Sequence, residues 1–245
     1  MKKILISCLL IISSCGGKKH AMGVAKTGQN DNKTFVTAES LDAEPPYGLE
    51  KVRKMLTIKK GDLLNYASMN DTAYASLSLR ERFTYHMINP EQYAQTCTIY
   101  FPKDDEYKQI AAQLPRISEG FTWGERQWKF FSTNRDSVIA LMEECIKKES
   151  KVGLNFKRVI EYLDAKEIIP LLVNTYNNGR NDHGLLTVLM LLMKEGKYAP
   201  FLATQLYQKL YANENASYKS NTKFNSENER FIVELATSYH HATTN

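Results

Sequence analysis

The 245-residue sequence has few of the residues that build catalytic loops. It has no HExxH, no GxSxG, no phosphate-loop motif and no CxxC pair. Its 12 glycines are sparse in the C-terminal two-thirds, so no glycine-rich cradle for a phosphate presents itself. Long apolar runs are also lacking. One run occurs in the first dozen residues, Ile4 to Ile12, and a membrane-spanning helix needs about 20 such residues. That excludes a multi-pass membrane protein. The charge balance, +5 formal, is mild: it permits an acidic partner or anionic headgroups and demands neither, and no nucleic-acid motif is visible. What is present is ordinary globular material, 43% hydrophobic and 24% charged.

The N-terminus is the sharpest signal. Lys2-Lys3 precede the apolar run, and Ile12-Ser13-Ser14-Cys15-Gly16 closes it. A basic start, a short apolar stretch and small residues are the parts of an export signal. Ile12-Ser13-Ser14-Cys15 resembles the lipobox of bacterial lipoproteins, and the match covers residues 1–16 only. The resemblance implies cleavage before Cys15 and lipid on its thiol. It further implies a cell-envelope location on a membrane anchor, by default in the outer membrane facing the periplasm, since Gly16 and not Asp follows the cysteine.

Processing changes the arithmetic. Removing residues 1–14 takes away Lys2 and Lys3 and no acid, so the charge falls from +5 to +3. Cys8 leaves with the signal and Cys15 takes the lipid, so Cys97 and Cys145 remain. In an oxidising compartment an even pair reads as a disulfide, worth ~4 kcal/mol for a loop of this size. Two buried free thiols are the other reading.

Three parts follow: a signal at 1–14, a lipidated tether at 15–47 and a helical domain at 48–245. The tether is polar and aperiodic and cannot offset its own ordering entropy; its span would be roughly 30 Å. From Leu49 the pattern is mainly α, a compact helical domain or a short solenoid of helical hairpins. Ser78 with Glu81 forms a capping-box pattern, and the helix it opens must end by Asn89, before Pro90. Asn89-Pro90-Glu91 then reads as a new helix start. Asp104 and Asp105 open a helix running to about Gln113. Asn134 and Asp136 start another, whose apolar face carries Val138, Leu141, Met142 and Cys145. Leu185 to Met193 is almost wholly apolar, as a helix buried on all sides would be. Pro170 and Pro200, 30 residues apart, flank it in similar surroundings. That pattern resembles the hairpins of HEAT-type repeats over about 80 residues, which implies an α-solenoid; an ordinary bundle accounts for it equally. Asn213 to Asn225 reads as a loop and Glu227 to His240 as the last helix.

Candidate chemistry is thin. His183 follows Asn181-Asp182 and precedes the apolar helix, so it is either a general base or a first-turn residue behind a helix cap. His86 shares a helix face with Arg82. His240-His241 lie in a tail. No spacing suggests a metal site or a cofactor. Phe121, Trp123, Arg126 and Trp128 make an aromatic stretch with the residue types of binding hot spots, which are also the types of a small core. Two function classes stay open. One is a lipid-anchored binding protein, an assembly factor or immunity-type partner binder acting through protein contacts. The other is an envelope hydrolase with a site assembled around His183 or His86, recognisable by a carboxylate and a nucleophile beside the histidine.

Overall fold

A computed structural model describes residues 42–59, 66–93, 108–114, 121–212 and 220–244. The signal, Cys15, most of the tether, Cys97 and the expected helix start at Asp104 lie outside them.

Among the described residues the protein is mainly α, with three two-stranded antiparallel ladders. Helix α1 (Leu49–Met55) leads into strands β1 (Thr57–Lys59) and β2 (Tyr66–Ser68), which pair with each other. Helix α2 (Asp71–Ala75) is capped by the Asn70 side chain on the Ala73 amide. Helix α3 (Leu79–Ile88) has both halves of its capping box, Ser78 and Glu81. It ends at Asn89 as the proline requires. No helix restarts there: β3 (Gln92–Tyr93) follows and pairs with β5 (Phe121–Thr122). Strand β4 (Gln109–Ala111) occupies the end of another expected helix, pairing with β6 (Asn221–Lys223) in the expected loop. Both departures come from long-range pairing that local propensity does not register.

Helices α4 (Glu125–Thr133) and α5 (Arg135–Glu149) meet at Asn134, whose amide closes α4 on the Phe130 carbonyl and does not cap α5. Helix α6 (Leu154–Tyr162) and a 3-10 turn at Lys166–Ile168 precede α7 (Ile169–Gly179), with Pro170 in its first turn. Helix α8 (His183–Glu195) is the axis of the fold. Every residue from Leu185 to Met193 is buried. Helices α6, α7 and α11 (Ser226–Thr244) pack around it, with β4 across its N-terminal half. Tyr239 of α11 sits so close to Gly196 that a β-carbon there would meet its hydroxyl at 1.8 Å.

This is a bundle wrapped around one helix, not a stack of like hairpins. The segment at Pro200 makes only the four-residue α9 (Ala199–Leu202), against eleven residues in α7, and α10 (Gln205–Tyr211) follows it. The main core gathers around α8. A smaller cluster of Val52, Met69, Leu77 and Tyr85 lies under α1. No described helix is long and apolar enough to cross a membrane.

The folded part begins earlier than the composition implies. Residues 42–47, assigned to the tether by their polarity, lie on the domain: Pro45 is buried, and Ala43 and Tyr47 pack on the main core.

Candidate functional site

A polar constellation is built on α2, α3 and α4, with His86 at its centre. His86 is fully buried. Gln127, on α4 and also fully buried, fixes its state. The Gln127 carbonyl oxygen accepts from the Glu91 and Gly124 amides, at 2.8 and 3.2 Å. Its NH2 therefore faces the other way, donating to the Asn89 carbonyl at 3.0 Å and to His86 Nδ1 at 3.2 Å. With Nδ1 accepting, the neutral ring carries its proton on Nε2, which donates to the Tyr74 hydroxyl oxygen at 2.8 Å. Burial first, then the charges of Arg126 and Arg82, lower the His86 pKa to about 3. The imidazole is thus neutral in the physiological range.

Around this ring lie charged groups that do not touch it. Arg126 pairs with Glu91 through Nη2 and through Nε (3.2 Å), and with Asp71 through Nη1 (3.0 Å). The Glu91 carboxylate also accepts from the Tyr85 hydroxyl. Burial and that carboxylate push the Tyr85 pKa up. The guanidinium groups of Arg126 and Arg82 lie 4.6 and 5.0 Å from the Tyr74 ring centre. Chemically, the arrangement holds α2, α3 and α4 together. Among the described residues the buried imidazole meets a phenol and an amide, with no carboxylate and no Ser, Thr or Cys hydroxyl or thiol bonded to it.

The aromatic stretch divides. Trp123 is 2% exposed and its indole N–H donates to the His86 carbonyl at 2.7 Å. It is core and offers no face to a partner, because its ring edge packs on Phe131 and Trp128. The side chain of Phe121 lies outside the described residues. Arg126 is partly exposed but committed to its two carboxylates. Trp128 is half-buried, with its ring centre 4.3 Å from that of Tyr162, which is 46% exposed. Tyr162 escaped the sequence reading. It lies at the end of α6, off the face that buries Phe156, Val159 and Ile160, and that off-face position was the available signal.

His183 takes the first-turn role. Its Nδ1–H donates to the Gln109 carbonyl at 3.0 Å and its ring stacks on Phe224 at 3.9 Å. With Thr187 and Tyr211, which bond the carbonyls of Ala111 and Ala112, it fastens β4 across α8. Asp182 does not cap α8 with its side chain. It accepts from the buried Lys157 ammonium at 2.7 Å. His240 faces the Lys166 carbonyl at 3.2 Å.

Cys145 is a free, buried thiol, and Cys97, its expected disulfide partner, lies outside the described residues. It lies on the apolar face expected for it, turned toward the Tyr47 hydroxyl at 3.5 Å. Burial raises its pKa, so it stays a thiol at neutral pH.

No described group of three or more His, Cys, Asp or Glu side chains could hold a metal ion. Comparison with protein-family models, with curated proteins and with solved structures returns no match.

Proposed function

We propose that the protein is a lipid-anchored binding module of the cell envelope, held by lipid on Cys15 and acting through protein–protein contacts. The observation that carries this reading is how the side chains are used. His86 and His183, on which a hydrolytic site would have to be built, are both spent on structural hydrogen bonds. Trp128 and Tyr162 meanwhile meet at the surface, an aromatic pair of the kind that fills a partner's pocket. The Ile12-Ser13-Ser14-Cys15 pattern supports the anchor, by default in the outer membrane facing the periplasm.

Two measurements test the two halves. Cys15→Ser should abolish lipid labelling and release the protein from the membrane fraction; a labelled, membrane-bound mutant would overturn the anchor. Trp128→Ala and Tyr162→Ala should each weaken capture of the native partner by at least about 1 kcal/mol, if each sits at a hot spot. Folded His183→Ala protein without activity, beside normal aromatic variants, would overturn the binding reading in favour of a hydrolase.

A further inference from the structure

Helix α6 starts without a side chain at its cap position, although the Asn155 carboxamide accepts from the Phe156 N–H at 2.8 Å. Gly153 stands at the cap position and has no side chain to accept a helix N–H. A β-carbon there would meet the Ala43 nitrogen at 2.2 Å, so glycine is required for the close approach of another strand of chain. That chain is the segment 42–47. The Asp42 carboxylate accepts from the Asn155 amide at 3.0 Å and brings a negative charge to the helix start, as a helix N-terminus prefers. The Asn155 carboxamide, 1% exposed, holds both main-chain groups of Ala43: it accepts from the N–H at 2.9 Å and donates to the C=O at 2.8 Å. Two residues on, the buried Thr84 hydroxyl donates to the Pro45 carbonyl at 3.4 Å.

These contacts have the form of peptide recognition. Three main-chain groups are bound, two of them by one asparagine. Side-chain demands are few: an acid at the first position, a small residue over Gly153 and a proline at the fourth. The rigid proline lowers the entropy cost of holding the segment extended.

We propose that the groove between α3 and the start of α6 is a receptor for an extended acidic–small–X–Pro peptide. The protein's own Asp42–Pro45 fills it in cis, and a partner's segment of that chemistry takes its place in trans. The inference deepens the binding-module reading and rests on that reading for its biological role. The groove's chemistry is testable on lipid-free protein, so failure here leaves the anchor and the Trp128–Tyr162 surface untouched.

The test uses the full mature chain with the strap disabled, Asp42→Ala with Ala43→Pro, which removes the carboxylate at the helix start and the Ala43 N–H. The probe is a fluorescein-labelled synthetic peptide with the sequence of residues 40–46. By anisotropy it should bind the unlatched protein at least about tenfold more tightly than the wild type, where the tethered strap competes at high effective concentration. Adding Asn155→Ala should return binding to the wild-type level. A folded unlatched protein that binds no better than the wild type overturns the proposal. Should that variant fail to fold, hydrogen exchange on the unaltered protein decides. The amides of Ala43 and Asn155 should exchange together, at least about tenfold faster than the Leu189 amide in α8. Exchange of all three only through global unfolding would show a strap that never leaves its groove, and would overturn it too.

Discussion

Around α8, nine consecutive residues from Leu185 to Met193 are buried, and all but Thr187 are apolar. Under α1, the second cluster has four buried members among the described residues, Val52, Met69, Leu77 and Tyr85. The first region is held by area removed from water, which is non-directional and tolerates small shifts. The second joins the rest of the fold through Gln127, His86, Tyr74 and the Glu91–Arg126 pair, where each group has a named partner at a fixed angle. An apolar core loses stability in proportion to volume removed. A buried polar network fails when one member leaves the others unpaired.

The largest effect should come from the apolar axis. Leu189→Ala leaves a cavity in α8 and should cost about 2–5 kcal/mol in denaturant unfolding. A much smaller loss would mean that the helices around α8 collapse into the space, and the contrast between the regions would weaken. Gln127→Leu comes next. It is close in shape but leaves the Glu91 and Gly124 amides without their acceptor, and should cost at least about 2 kcal/mol. Fluorescence of Trp123 should report it, since the indole bonds the His86 carbonyl beside the altered residue.

Third is pH. The folded pKa of His86 is depressed to about 3, while in the unfolded chain it returns toward about 6.5. The unfolded state therefore binds the extra proton. Stability is fully present above pH 6.5 and declines as pH falls toward 3, with a slope approaching about 1.4 kcal/mol per pH unit. Between pH 6.5 and 5 the carboxylates with lowered pKa, such as Glu81 and Glu167, contribute little, while burial raises Glu161 and Asp164 toward that window with the opposite sign, so the His86 share is the difference between wild type and a variant without the imidazole. His86→Gln should flatten the slope there in urea titrations. An unchanged slope would remove His86 as its source. The smallest effect is the cap of α3: Ser78→Ala should cost about 1 kcal/mol, with helicity otherwise retained.

The same contrast governs how much could be read in advance. The apolar axis was legible because an unbroken hydrophobic run admits one environment. The α3 boundaries were legible because capping and proline act within four residues. Strands β3, β4, β5 and β6 were not, because each is two or three residues long and exists only by pairing with a partner at least 28 positions away. The two histidines were legible as candidates, and His183 as a first-turn residue, but their partners were not, because Gln127 and Gln109 are 41 and 74 residues away. Polarity likewise placed residues 42–47 in a tether. Their ordering depends on Asn155, more than a hundred positions later.

By itself the sequence determined the mainly helical class, the buried helix from Leu185 to Met193, the α3 cap and stop, and the face that carries Cys145. All of these follow from periodicity and near-neighbour hydrogen bonding, which act over a few residues. Only the tertiary structure decided that the bundle wraps around α8, that Trp123 is core while Trp128 meets Tyr162, that Cys145 faces Tyr47, and that Asp42 meets the start of α6. Each of these depends on which distant side chain arrives to satisfy a buried donor, acceptor or apolar face, and spacing along the chain does not encode that arrival.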